Sequence, residues 1–220
     1  IMGEHYIFNL KRLLQYEAGQ PGRMGGVYDY TQKRFAFYSI NRAGGSLSEA
    51  NVSRIYDTGH FWADKPGEQF SAEEIMQTEA CFYAFRFCIE HMGETITPEY
   101  GEEIQRRLYP GAPIYMTDYL RALIIGSGNL RQLRVIAAFH IQYVQHGGDS
   151  RAASLISYIQ CINANLTPFI IHPENQALYE RYMIVDADKF CHLLHVEQNR
   201  YKEETEQLVM DWKAEKSPLA

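Results

Sequence analysis

Apolar residues recur every three to four positions along most of the chain, which is the spacing of one helix face. EHYIFNLKRLLQYEAGQPG opens the chain with this pattern, and Gly19 to Gly22 break it. A second helix is predicted over residues 27–38, ahead of the loop NRAGGS. In SLSE, Ser46 stands three residues before Glu49, the spacing of a capping box, and introduces a helix bearing Val52, Ile55 and Tyr56. Ser71 and Glu74 repeat the signal and open a long aromatic helix whose Cys81, Phe85 and Cys88 share one face. Thr97 as N-cap and Pro98 at the first helical position start another, which YPGAP ends.

MTDYLRALII predicts a short helix stopped by GSGN. LRQLRVIAAFHIQYVQ is strongly amphipathic, with Leu133, Ile136, His140 and Val144 along one stripe, and AASLISYIQCINAN forms the next helix. Pro168 and Pro173 bias LTPFIIHPEN towards extended backbone. Two closing helices are expected over residues 175–183 and 187–212. The chain reads as mainly α, with no internal repeat and no low-complexity linker.

Its 220 residues suffice for one sizeable domain. The net charge of −6 comes without an acidic tail or a basic run. Nucleic-acid binding needs a concentrated positive surface, so no nucleic-acid partner is expected, although a local basic pocket is compatible with this charge. No apolar run reaches membrane-spanning length and no signal-peptide pattern is present, so neither a membrane partner nor a spanning segment is expected. Cys81, Cys88, Cys161 and Cys191 are scattered without a CxxC pair, as expected of reduced, mostly buried thiols in a cytoplasmic protein. Delivery into another cell as an effector is compatible with the same sequence.

The chemistry-bearing stretch is VQHGGDSRAASL, Val144 to Leu155. One reading makes it an anion site: Gly147 and Gly148 let the backbone approach a phosphate, and the following helix adds its dipole. In that reading Ser150 and Arg151 complete the phosphate contacts, His146 is a general base, and Asp149 holds Mg²⁺ or caps the helix. The other reading is an ordinary helix–turn–helix, in which the glycines stop one helix and Asp149 or Ser150 caps the next. Elsewhere, His140 on its apolar stripe reads as a hydrogen-bonded core histidine, and His192, His195 and Cys191 lack the further ligands a zinc site needs. Tyr109, Tyr115 and Tyr119 cluster around two prolines, a composition suited to packing or to a partner surface.

Several segments, in order, resemble the Fic (Fido) family, whose best-known members transfer AMP from ATP to protein hydroxyls. GGVYDYTQKRFAFYSINRAGGSLSEANVSRIYDTG is similar to the family's inhibitory-helix region, and EEIMQTEACFYAFRFCIE and ITPEYGEEIQRRLYPG to its next two helices. VIAAFHIQYVQ and ASLISYIQCINANLTPFII resemble the helices flanking its active site, and YERYMIVDADKFCHLLHVEQNRYKE resembles its C-terminal helices. The resemblance implies a single Fic-like helical domain, with N-terminal helices over 1–70, a core over 71–186 and a C-terminal helix over 187–220. The family's signature is HPFxxGNGR: its histidine deprotonates the target hydroxyl, an acidic residue holds Mg²⁺, and the glycine turn and arginine hold phosphates.

Here the flanks align only if the loop is about four residues short. GDSR then stands for GNGR, Arg151 matches the first arginine, and His146 is the one histidine available as base. The family's second arginine falls at Ser154, and the inhibitory glutamate that pairs with it falls at Ala43. The segment between RRLYPG and VIAAFH is also short, so the flap that docks a target is expected to be shortened or missing. Such a loop would displace the base by several ångströms, on the order of 3.3 Å per residue, and nucleotidyl transfer depends on positioning. The expectation is a degenerate Fic-like protein that binds a protein partner as an effector or regulator, with no cofactor. The alternative is an active AMP transferase with a remodelled loop, using ATP and Mg²⁺ through His146, Gly147, Gly148, Asp149, Ser150 and Arg151.

Overall fold

The helix over Ala72–Glu90 (α4) buries residues on nearly every side, among them Thr78, Cys81, Phe82, Phe85, Phe87, Cys88 and Ile89. A helix apolar all round must be covered from several directions. In the computed structural model it is covered by α1 (Met2–Ala18), α2 (Val27–Arg42), α3 (Glu49–Thr58), α5 (Pro98–Leu108) and α8 (Ser150–Asn163). The structure describes residues 2–20, 22, 24–128 and 130–216, without the side chains of 2–4 and 213–216. Among them there is no strand. Pro21, in the predicted break after α1, and Asn129, in the predicted stop near residue 127, lie outside the described residues.

Phe85 sits at the centre of this packing, with the rings of Tyr28 at 5.4 Å, Tyr158 at 5.8 Å and Phe35 at 6.4 Å. A second apolar cluster lies where α7 (Leu133–Gln145) and α8 meet α9 (Gln176–Val185) and α10 (Ala187–Lys216), and it contains Ile136, Ile141, Cys161, Phe169, Phe190 and Leu194. α6 (Asp118–Gly126) lies beside α5 and α7. The tyrosine-rich composition has a use here. The hydroxyls of Tyr158 and Thr31 each bond that of Tyr201 at 2.8 Å, and Tyr6 bonds Thr205 at 2.6 Å, all inside the protein. Buried phenols so satisfied add large apolar area without stranding a polar atom. His140 is a fully buried core histidine, with Ser157 at 3.0 Å from Nδ1 and Tyr179 at 2.6 Å from Nε2. The four thiols are unpaired, three of them buried.

Ser71 and Thr97 cap their helices as the sequence predicts, accepting from the N–H groups of Glu74 and Tyr100. The SLSE signal resolves differently. Ser48, not Ser46, is the N-cap of α3 and accepts from Asn51 N–H at 3.1 Å. Ser46 instead donates its N–H to Glu74 at 2.7 Å, because α4 brings that carboxylate against the loop. α2 also runs four residues past its predicted end, since Ser39 and Ile40 are buried and extend its packed face.

Phe85→Ala is expected to cost about 3–5 kcal/mol. Tyr83→Ala, on the exposed side of the same helix, is expected to stay within about 0.5 kcal/mol. Urea denaturation of the two variants measures both.

Candidate functional site

The stretch from His146 to Arg151 is built by the end of one helix and the start of the next. α7 closes at His146, and Gly147 takes the left-handed conformation at φ +91°. Gly147 N–H donates to Val144 O at 3.1 Å and Gly148 N–H to Tyr143 O at 2.8 Å. This pair of bonds is a Schellman stop, which satisfies the last carbonyls of a helix. A Cβ on Gly148 would lie 2.3 Å from the Tyr143 ring, so the close approach requires glycine. Both glycine N–H groups are therefore engaged with α7.

Asp149 caps α8, accepting from the N–H groups of Arg151 at 2.8 Å and Ala152 at 3.1 Å. Arg151 Nε and Nη2 each reach the same carboxylate at 3.4 Å, and the Tyr109 hydroxyl donates to it as well. A carboxylate offers about four lone-pair sites, and these donors fill them. Burial pushes the Asp149 carboxyl up, but the Arg151 charge and the Tyr109 bond outweigh it and hold the group below its ordinary value. Burial alone would lower Arg151, yet Asp149 beside it keeps that guanidinium above its ordinary value. Arg151 also lies over the Tyr109 ring, 4.8 Å from its centroid. The Cys81 thiol nearby is pushed up to about 11 by burial, with Arg151 opposing.

His146 is exposed, and its ring stacks on Tyr119 with centroids 3.9 Å apart. Its Nδ1 lies 2.8 Å from Gln142 O. A carbonyl can only accept, so Nδ1 carries the proton and Nε2 is the basic nitrogen. Ser154 Oγ donates to Ser150 O at 2.8 Å. The N–H groups of Gly147, Gly148, Arg151 and Ala152, which a phosphate cradle would use, are thus bonded within the chain. Asp149 likewise accepts from Arg151, Ala152 and Tyr109.

The Tyr109–Asp149 contact separates two clefts. One, of about 350 Å³, lies under Gln105, Pro113, Ile114 and Tyr115. The other, of about 250 Å³, is lined by Ser39, Arg42, Ala43, Gln77, Ser150 and Arg151. Ser39, Arg42 and Gln77 carried no functional reading in the sequence. An arginine in the last turn of a helix reads there as a complement to the helix dipole, and only packing brings it to α8. His192 and His195 are exposed on α10, and no metal-holding group of three or more His, Cys, Asp or Glu occurs among the described residues.

No protein-family model and no curated protein matches the sequence. Solved structures do. A Fic domain containing signaling protein from Bacteroides thetaiotaomicron superposes with a TM-score of 0.70 at 13% identity, covering 92% of this chain and 98% of that one. Fic-1 from C. elegans, residues 134–508, gives 0.63 at 14% identity over 96% of this chain and 73% of its own. Its E274G variant gives 0.63 at 16% identity over 95% and 72%. The chain has the Fic-domain fold. Between α5 and α6 of this Fic fold, residues 109–117 form turns and irregular backbone, in place of a flap hairpin. Ala43 caps the end of α2 and lines the second cleft, while Ser154 lies beside Arg42.

Asp149→Ala removes a cap and strands Arg151, with an expected cost of roughly 3 kcal/mol. Asp149→Asn keeps the cap acceptor and costs less. Because the Asp149 value is depressed in the folded state, its contribution is full above about pH 4, the ordinary aspartate value. The wild-type advantage over Asp149→Asn should vanish as the pH falls below that, measured by denaturation between pH 2 and pH 7, a range on the order of the carboxylate titration.

Proposed function

We propose that this Fic-fold chain has lost AMP transfer and works by binding a protein partner, without ATP or Mg²⁺ as cofactor. One observation carries the reading. The start of α8, where a phosphate would draw on free N–H groups and a positive helix end, is already filled by the chain's own Asp149 carboxylate. A nucleotide would have to displace a partly buried, multiply bonded carboxylate that repels its charge. The partner surface is the cleft lined by Tyr109 and Tyr115, where Tyr115 is 87% exposed and Tyr109 partly so, with Tyr119 exposed at the start of α6. Tyrosines set at a cleft edge give large contact area at low entropic cost.

His146 supports a second reading, an AMP transferase with a remodelled loop. With its Nδ1 proton on Gln142 O, Nε2 is an acceptor that could take a proton from a hydroxyl. A radiolabelled-ATP assay separates the two. On the first reading the protein labels neither itself nor a lysate above the His146→Ala background, and millimolar ATP–Mg²⁺ leaves its Tm unchanged. Robust labelling that disappears in His146→Ala overturns it.

A further inference from the structure

A cavity of about 90 Å³ lies between the end of α1, the start of α2, the end of α3 and the middle of α4. Gln32 lines it and is fully buried. Among the described residues, neither Oε1 nor Nε2 of Gln32 has a hydrogen-bond partner. Burying an amide without partners is costly, so an orphan amide calls for an explanation. The charged groups of the same wall are engaged. The Glu17 carboxylate accepts from Tyr28 N–H at 2.8 Å. Asp29 accepts from Lys33 Nζ and from Gly25 N–H, each at 3.0 Å. Arg86 Nε donates to Glu90 at 2.7 Å.

The rest of the wall is largely aromatic. The Tyr56 and Phe82 rings meet edge to face with centroids 5.0 Å apart, and Tyr28 and Tyr83 line the cavity with them. Burial first, and then Tyr56, push the Tyr28 phenol above its ordinary value, so it is a neutral hydroxyl. One water needs roughly 10–15 Å³ of such a cavity, so this one has room for several waters or for one small organic group. It is well below the roughly 300–1,000 Å³ of a pocket for a drug-sized ligand. Glu17 and Asp29 in the wall disfavour an anion. A cation finds Lys33 Nζ already over the Tyr56 ring, 5.5 Å from its centroid. The chemistry that remains is neutral.

A carboxamide side chain presents a donor and an acceptor side by side. Its full complement is a second amide edge, which returns one acceptor and one donor. We propose that this cavity binds a small, neutral, flat amide, a primary carboxamide or a lactam, through paired hydrogen bonds to Gln32. The rings of Tyr56 and Phe82 give its flat body apolar contact. Tyr83, 62% exposed on α4, places one more ring on the solvent side. The cavity shares no lining residue with the two clefts beside Asp149. The proposal is therefore independent of whether AMP transfer has been lost there.

The test is a titration of the full chain with nicotinamide, an aromatic carboxamide, read by calorimetry and thermal shift. Nicotinate, with the same ring and an anionic carboxylate, is the control. Nicotinamide at millimolar concentration should bind and raise Tm, and nicotinate should do neither. Gln32→Met roughly keeps the side-chain volume and removes both polar atoms. It should weaken nicotinamide binding at least about tenfold, the loss expected for two neutral hydrogen bonds. Its ligand-free Tm should be unchanged or higher, because a buried orphan amide is gone. Tyr83→Ala, an exposed substitution that leaves the fold in place, should weaken binding about threefold, as one aromatic contact is lost. A wild-type chain that gives no nicotinamide response overturns the proposal and leaves the cavity to water. Nicotinate binding as tightly as nicotinamide overturns it too, as does nicotinamide binding undiminished in either variant.

Discussion

The arrangement around the candidate site depends on one carboxylate at one helix end. Asp149 collects the first N–H groups of α8, the guanidinium of Arg151 and the hydroxyl of Tyr109. Each donor comes from a different part of the structure: the helix backbone, its first turn, and the segment after α5. The single group thus fixes how α8 begins, where Arg151 points and where the irregular 109–117 segment is anchored. A helix N-terminus presents about half a positive charge and several unpaired donors. Supplying the anion from within the chain stabilises the turn and satisfies donors that would otherwise be left unpaired.

The turn before Asp149 follows a parallel logic. Gly147 and Gly148 have the conformational freedom that a phosphate loop needs, but their N–H groups complete the last turn of α7. The Tyr143 ring packs where a Cβ of residue 148 would stand. The second glycine is therefore required by packing, and the first by its positive φ. Glycine content alone does not distinguish a nest of free N–H groups from a helix stop, because both need the same backbone geometry.

This marks how far the sequence could be read. The helices were legible because burying one face imposes a 3.6-residue period, and the Ser71 and Thr97 caps were legible because their partners lie three residues away in sequence. Ser46 was not, since its partner Glu74 arrives from another helix. His140 read as a core histidine from its apolar stripe, although its partners Ser157 and Tyr179 could not be named. At VQHGGDSR the sequence held two readings open. What favours one is the destination of four N–H groups, each bonded within five residues of sequence, and the approach of Tyr109 from forty residues away.

Arg42 shows the same limit from the other side. In sequence it is a basic residue at a helix end, a position in which arginine is ordinary. Its environment is unusual only because α2 runs on past residue 38, which carries Arg42 to the side of Ser154 and across the cleft from Arg151. The Fic resemblance places a glutamate at Ala43 and an arginine at Ser154, a pair whose members would neutralise each other. With neither present, the cleft gains an arginine from α2, and among the described residues the carboxylate lining it, Asp149, is engaged by Arg151 and Tyr109. A pair lost together leaves no stranded charge, but a cation introduced beside the vacated positions does. The charge balance of this cleft therefore differs in kind, not only in degree, from one closed by an internal ion pair.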